Sequence, residues 1–573
     1  METNNQSCKD PLLELDQSPD LPVWPPSVIR DIKALNTLET NYGNILHTSL
    51  GKRFSGDDKW GRDSSITAAD LAESHPETTK AIILTLASIQ GTEHVGFSGE
   101  EFGKIPTEQR RIYDNDELEL FNFKEPFDSK LFMSVWSIFV FRNGWSEYTN
   151  YYSSDTTPIF INTVYEYAKF DKRILAEEVT QKDGSKRSIE QCLIGAAEYI
   201  ANSVSQDGLI RIKEENLGGR QFPYWRDDPA EHVDENGNII NGFDEQVILD
   251  VQALAAHALN QTAELIHEPE SENVKLSEYW RQLSKKVVDA TIERFWMPQA
   301  NYFSSLLYKD KTGNFAQLKT MQSNAGWLLN TDFFDRIENK QIYIEAIVQK
   351  LFSSEFLTDA GVRCRSLEHI YDRDRVDYHG SWVVWPFETF QFALGLKRQG
   401  FSELAEQLEN RIVNVTNQAG NNYEFFIVDE AGRVLLDPNT SKDNCEDCIE
   451  IDMVPEPTQA WTVTAVNWIK RNRTKQYKAK KQAVTDGPSS DFEQQILKGI
   501  KNIGIYKTMS ELKKDTPDPA HYYLDVEVGR NKVKRDVVDM LVNHWHIESR
   551  RRHRNELIRK AGGKAIARIL NIF

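Results

Sequence analysis

Cysteine is scarce in this chain, five in 573 residues and odd in number, so a disulfide framework is not the basis of its fold. Cys445 and Cys448 form a single CxxC without a second pair to complete a metal site, and they read as two reduced loop thiols. No stretch reaches about 18 uninterrupted apolar residues, so no membrane span is expected. The opening METNNQSCKDPLLELDQ has no basic start followed by an apolar run, which leads to the expectation of no signal peptide and a cytoplasmic location. Positive charge is short as well. Lys and Arg number 68 against 87 Asp and Glu, a net charge of -19. That balance argues against nucleic acid as the main partner and for a neutral or cationic ligand.

What the chain has in quantity is aromatic surface and helical periodicity. Apolar residues make up 40% and Phe, Trp and Tyr 11%, which suits a globular protein with an aromatic-lined cleft. After a Pro-rich lead-in, Leu21 to Pro26, a helix is expected to about Thr40. The SHPE of Ser74–Glu77 combines a capping Ser, an early Pro and a Glu three residues after the cap, so a helix is predicted from there to about Gln90. Apolar helical runs recur near 157–170, 188–204, 244–266, 276–295, 339–352, 385–399, 402–416 and 458–470. Gly-, Asp- and aromatic-rich loops separate them. Strand signals are few: Tyr302–Tyr308 with Phe315–Leu318 across DKTG, and Glu424–Val428 with Val434–Leu436 across DEAG, read as hairpins. Paired helices with elaborate loops at one end suggest a toroid of helical hairpins, although no exact repeat supports it.

The character changes near Arg471. From there to Phe573 the chain is close to +11, and the remainder is close to -30. The expected organisation is therefore a main domain over residues 1–470, a basic linker over 471–490 and a small basic helical region over 491–573. That last region reads most simply as a solvated or docking helix, with a phosphate-bearing polymer or an acidic partner as the other options.

The stretch from Phe222 to Leu259 sets Trp225-Arg226-Asp227-Asp228 on a loop ahead of a helix expected from Asp244 onward. Alone, two adjacent carboxylates in a loop are most simply a hydrated turn. Beside Tyr224 and Trp225, however, they fit a sugar site, because aromatic faces stack on pyranose rings and a carboxylic acid can protonate a glycosidic oxygen. Further loops repeat the theme. Gly61-Arg62-Asp63-Ser64, Gln90-Gly91, Glu100-Glu101 and Gly103-Lys104-Ile105 follow Trp60; then come Tyr151-Tyr152-Ser153-Ser154-Asp155-Thr156-Thr157-Pro158, Leu249-Asp250-Val251-Gln252, Ser323-Asn324-Ala325-Gly326, Tyr378-His379-Gly380-Ser381 with Trp385-Pro386, Tyr423-Glu424-Phe425-Phe426 and Pro457-Thr458-Gln459-Ala460-Trp461.

In this order, from about Gly51 to Trp468, the motifs resemble those of the amylo-α-1,6-glucosidase, or glycogen-debranching-like, glycosidases of the six-hairpin glycosidase superfamily. The resemblance implies an all-α fold, an (α/α)6 toroid with minor β-hairpins, here with a small helical C-terminal appendage. It implies a reaction run by two carboxylates with no cofactor and no metal, on an oligosaccharide, a polysaccharide or a small glycoside. Matched position by position, Asp227 falls on the general acid, with Asp228 the alternative one residue on, and Glu424 on the general base. Arg62 and Asp63 fall on the pair that grips sugar hydroxyls, and Trp60, Glu101, Lys104, Asp155, Trp225, Arg226, His379, Trp385, Gln459 and Trp461 on the same mouth. For His379 a structural role is the competing reading. Asp250 either orients its neighbours or faces water.

Two departures bear on substrate. YHGSWVVWP holds one residue more between His379 and Trp-Pro than the family motif, and IPTEQR replaces its usual continuation after Gly-Lys. The segment after Glu424, FFIVDEAGRV, looks closer to related α-glucosidases and glycosylglycerate hydrolases. The expected activity is hydrolysis of an α-glucoside with inversion, the α-1,6 branch stub of a glycogen-like glucan being one candidate. A small-glycoside or glycosylglycerate hydrolase, a glycoside phosphorylase and a non-catalytic carbohydrate-binding protein are the alternatives.

Overall fold

The computed structural model describes residues 48, 59–96, 98–111, 147–212, 222–227, 232–240, 242, 244–267, 273–310, 312–369, 375–376, 378–435, 450–451, 455–480 and 491–502. The Pro-rich lead-in and its expected helix, Asp228, the CxxC and the basic region beyond Asn502 lie outside them.

The described protein is predominantly helical with small sheets. Its helices are α1 (Gly61–Leu71), α2 (Pro76–Ser88), α3 (Thr156–Ala168), α4 (Ile189–Ser203), α5 (Leu249–Leu265), α6 (Asn273–Phe295), a 3-10 helix (Ser323–Asn330), α7 (Lys340–Leu351), α8 (Pro386–Arg398), α9 (Ser402–Ala419), α10 (Ala460–Lys480) and α11 (Asp491–Asn502). Local chemistry starts several of them. Ser188 accepts from the N–H of Gln191 while the Gln191 side chain accepts from the N–H of Ser188, a reciprocal capping box for α4. Pro76 and Pro386 supply the pre-set φ of a first helical residue to α2 and α8. Because Pro76 takes that position, His75 is the N-cap of α2 and not Ser74, whose hydroxyl meets His75 Nδ1 instead.

Packing follows a rule of alternation. α1 packs on α3, α3 on α5, α5 on the 3-10 helix, that helix on α8, α8 on α10, and α10 back on α1. The members between them in the chain sit outside: α2 against α1 and α3, α4 against α3 and α5, α6 along α5, α7 against the 3-10 helix, and α9 against α8 and α10. α5 shows the pattern in its composition. All but three of its 17 residues are buried, including Asp250, Gln252, His257 and Gln261, as expected for a helix enclosed on every side. One large apolar cluster runs through the cycle, from Ile66 and Phe160 through Val251, Trp327 and Phe387 to Trp461.

The strands serve the loops. Lys59–Trp60, Glu108–Arg111 and Glu147–Asn150 form a three-stranded antiparallel sheet at the entry to α1. Gln246–Ile248 pairs with Leu306–Tyr308, so the region expected as helix from Asp244 opens as a strand and turns helical only at Leu249. β-branched Val247 and Ile248 are buried there on a pleated surface. Phe315–Gln317 pairs with Leu307–Lys309, as the DKTG hairpin predicted, whereas Tyr302–Phe303 turns back on Trp296–Met297 around Asn301. Phe426–Val428 pairs with Val434–Leu435 across DEAG and with Val383–Val384 on its other edge. α10 continues to Lys480, beyond the boundary expected at Arg471.

Candidate active site

Each of the six members of the closed cycle carries candidate residues at its N-terminal end. Trp60 is the N-cap of α1, with Arg62 and Asp63 in its first turn; Asp155 is the N-cap of α3; Asp250 is the second residue of α5; Ser323 and Asn324 begin the 3-10 helix; Trp385 is the N-cap of α8; and Gln459 and Trp461 flank the start of α10. Arg62 meets Asp155, Trp225 joins Asp155, Asp250 and Trp385, Asn324 meets Asp250, and Trp385 meets Trp461, so these N-termini gather at one place. Unpaired N–H groups and the helix dipoles make that end hospitable to carboxylates.

The loop before Asp227 is held by carboxylates from three of these members. Trp225 donates its main-chain N–H to Asp155 Oδ2 at 2.8 Å and its indole N–H to Asp250 Oδ2 at 2.9 Å. Arg226 turns into the protein: its Nη2 reaches Glu388 Oε1 and Ser323 Oγ at 2.5 Å each, and its Nη1 reaches the Cys364 carbonyl at 3.0 Å. The Arg226 and Glu388 side chains are 0% and 1% exposed. His232 Nε2 lies 3.3 Å from the Arg226 carbonyl. Burial pushes this imidazole down to about 3, so it is neutral, and the same Nε2 lies 3.3 Å from the Tyr224 hydroxyl. Asp227 itself is partly exposed.

Asp227 shares its surroundings with Arg62 and Asp63, on both of which its charge acts. Arg62 Nη1 lies 3.5 Å from Asp155 Oδ2 and Nε 3.7 Å from Asp63 Oδ2. Burial works against its charge, but Asp155, Asp63 and Asp227 outweigh it and the guanidinium is held above its ordinary value. Asp63 is pushed up to about 6, by burial first, with Arg62 opposing. Asp155 is fully buried and also accepts from Ser153 Oγ. It therefore brackets α3, Arg62 and the Asp227 loop. Asp250, also fully buried, is pushed up to about 7 by burial, with Arg226 and the hydrogen bonds from Asn324 and Trp225 opposing.

Glu424 is built into a second stitched pair of loops. Its N–H donates to the Glu456 carbonyl at 2.9 Å, and Glu456 N–H returns to Glu424 Oε2 at 3.2 Å. Tyr378 donates its phenol to Glu424 Oε1. Thr458 has φ +53°, unusual for a β-branched residue, and its N–H and hydroxyl both hold Asn421 Oδ1. Gln459 follows, its N–H on the Asn422 carbonyl at 2.8 Å. Its side-chain amide and the Trp461 indole N–H are buried without a hydrogen-bond partner among the described residues.

An aromatic wall joins the two halves. Trp385 stacks on His379 at 5.0 Å and meets Tyr378, Trp225 and Trp461 edge to face at 5.0, 6.0 and 5.7 Å. Trp225 in turn meets His379 at 5.1 Å. From Asp227 to Glu424 the route is therefore Trp225, Trp385, Tyr378. Lys104 and Glu101 form a separate group. Lys104 Nζ bonds the Gly99 carbonyl at 3.1 Å, lies 3.4 Å from Glu101 Oε1 and faces the Tyr199 ring at 5.2 Å. It lines a cleft with Tyr152, Ser154, Tyr199 and Ser203, against α4 and the first turns of α3 and α5.

Sequence reading passed over Glu388 and gave Tyr378 no role. Glu388 left one trace, a lone acid in the aromatic WPFETF at a helix start. Among the described residues no group of three His, Cys, Asp or Glu side chains is arranged to hold a metal ion, and no helix is long and apolar enough to cross a membrane.

No protein-family model matches the chain, and no curated protein does. Among solved structures it is similar to a GH63 mannosylglycerate hydrolase from Thermus thermophilus in complex with glucose, at 12% identity and a TM-score of 0.48, over 78% of this chain and 100% of that one. The same hydrolase with Tris and D-glycerate gives 13% identity and a TM-score of 0.46 over the same shares. A rhamnosidase from Klebsiella oxytoca with rhamnose bound gives 11% identity and 0.44, over 78% of this chain and 64% of that one.

Proposed function

We propose that this chain is an inverting α-glycosidase, built as an (α/α)6 toroid, with Asp227 as general acid and Glu424 as general base. The observation that carries the reading is the convergence of two carboxylate-bearing loops on one aromatic wall at the N-terminal end of a closed helical cycle. The ordered motif resemblance supports the same roles independently.

In this mechanism Asp227 gives its proton to the glycosidic oxygen as the bond to the anomeric carbon breaks. Glu424 takes a proton from the water that attacks that carbon from the opposite face, and the two carboxyl groups of such a pair stand roughly 6.5–9.5 Å apart. Both oxygens of Glu424 accept hydrogen bonds, from Tyr378 and from the Glu456 N–H, which fix the direction of the carboxylate. Arg62 and Asp63 offer a donor and an acceptor to sugar hydroxyls beside the acid. Trp225 and Arg226 hold the acid loop, and His379, Trp385 and Trp461 form the wall. Gln459, with both amide atoms unpartnered among the described residues, meets a hydroxyl or the attacking water. The substrate is an α-glucoside, with the α-1,6 branch stub of a glycogen-like glucan as the first candidate. A glycosylglycerate is the second, favoured by the FFIVDEAGRV segment that folds as the hairpin after Glu424.

The test is sugar release from glycogen limit dextrin, isomaltose, trehalose and glucosyl- and mannosylglycerate, with and without inorganic phosphate, the product anomer being read by NMR. Asp227→Asn and Glu424→Gln each abolish release, and the first-formed anomer is inverted. Unchanged turnover in either variant overturns the assignment. Strict dependence on phosphate would make the protein a phosphorylase, and tight binding without turnover a carbohydrate-binding protein.

A further inference from the structure

Asp250 has a part in the proposed site that neither the motif resemblance nor the two-carboxylate mechanism gives it. It stands in the first turn of α5 and is fully buried. Its Oδ2 accepts the Trp225 indole N–H at 2.9 Å and its Oδ1 accepts Asn324 Nδ2–H at 3.1 Å, from the first turn of the 3-10 helix. Both partners are donors, so the position calls for a group with two acceptor oxygens. The N-terminal turn of a helix is also where negative charge is best tolerated.

What Asp250 holds is the ring of the residue two places before the acid. Trp225 is fastened twice, by its main-chain N–H to Asp155 and by its indole N–H to Asp250. The first bond sets where the backbone passes and the second sets the rotamer of the ring. The ring is also packed by the Arg226 guanidinium, 4.4 Å from its centroid, and by the edges of His379 and Phe387. None of those contacts is directional enough to choose one rotamer alone; the indole hydrogen bond is.

We propose that Asp250 is a positioning residue for the acid: by anchoring the Trp225 indole it fixes the direction in which Asp227 is presented to the glycosidic oxygen. This rests on the glycosidase reading, and its test is arranged so that the two can fail separately.

Asp250→Leu keeps similar bulk and removes the acceptors. Asp250→Asn keeps one oxygen for Trp225, and its new amide donor is met when Asn324, whose Oδ1 is buried without a partner among the described residues, flips its carboxamide. Trp225→Phe removes the indole N–H. With the best substrate of the panel, Asp250→Leu lowers kcat by on the order of 100-fold, the scale of a displacement of about 1 Å, with KM within about threefold. Trp225→Phe loses a similar factor, the double variant loses no more than the worse single, and Asp250→Asn stays within about fivefold of wild type. Wild-type kcat in Asp250→Leu, losses that multiply in the double variant, or an Asp250→Asn as poor as Asp250→Leu would each overturn the proposal. Absence of turnover in the wild type on every substrate sinks the glycosidase reading instead. In that event wild type, Asp250→Leu, Trp225→Phe and the double variant are compared by urea unfolding, where coupling between positions 225 and 250 upholds the anchor and strict additivity refutes it.

Discussion

Replacing Glu388 by Gln puts the buried core of the site under the most direct test. Glu388 Oε1 accepts Arg226 Nη2 at 2.5 Å and the Trp327 indole N–H at 3.2 Å, while Oε2 accepts the Ser323 hydroxyl at 3.1 Å. A glutamine keeps one acceptor oxygen for Arg226 and Trp327, and its NH2 meets the Ser323 hydroxyl once that hydroxyl turns its proton to the Cys364 carbonyl, 3.2 Å away, but it leaves the guanidinium without its counter-charge. Removing one partner of a fully buried pair costs about 3–5 kcal/mol. The lost hydrogen bonds belong to the same group and are not added on top. Against a total stability of about 5–15 kcal/mol, that is a large fraction. Followed by tryptophan fluorescence in urea, the midpoint should fall by about 1–1.7 M for a slope of about 3 kcal/mol per M. The double replacement Arg226→Met with Glu388→Met should recover most of the loss, because an apolar pair of similar volume carries no desolvation penalty. A single variant within about 0.5 kcal/mol of wild type, a change typical of exposed positions, would refute the claim that charge pairing holds Arg226 in place.

Three further outcomes follow from individual contacts. On the proposed reading Asp63, pushed up to about 6, would grip hydroxyls as an ionised acceptor, so KM should rise as pH falls through about 6 and Asp63→Asn should flatten that dependence; an unchanged KM profile counts against a role in binding. Asp70 on α1 accepts the Thr464 hydroxyl at 3.0 Å, and burial pushes it up to about 8. The folded chain then keeps a proton that the unfolded chain releases, so stability drains away as pH climbs from about 4 to about 8. Asp70→Asn should raise the thermal midpoint at pH 8 and leave it alone at pH 4. Glu493 of α11 accepts the N–H groups of Glu403 and Leu404 at 2.8 and 3.0 Å, capping α9 where Phe401 offers no side-chain cap. Glu493→Ala should cost about 0.5–2 kcal/mol in thermal or urea unfolding, and no change would mean that α11 does not hold this helix.

What could be read from the sequence was local. The apolar runs read at 188–204 and 385–399 begin as helices at Ile189 and Pro386, within a residue or two, because helical spacing is set by neighbours in the chain. The hairpin at DKTG was legible for the same reason, its turn chemistry lying between the strands it joins. Val247 and Ile248 fit an apolar helical spacing as well as they fit a strand, and only pairing with Leu306 and Leu307 decided between them. The fate of Arg226 was hidden: its partner lies 162 positions away, and nothing near Glu388 announces a cation. Asp244 and Asp250 look alike on paper; packing alone buries the second.

The return of α10 to α1 sets an order of events for a chain emerging from the ribosome. Thr464 and Asp70 stand 394 positions apart yet share a hydrogen bond. Every earlier pair of neighbours can dock as it is made, but the first helix must wait with one flank bare until almost the whole body has been translated. Contacts of such separation are slow to form and leave apolar surface open meanwhile. Nascent chains halted before about residue 480 should therefore be protease-sensitive around α1 and bind holdase chaperones there. On the proposed reading, the general base Glu424, whose carboxylate and N–H are tied to Glu456 just ahead of α10, would be complete only once that segment is made.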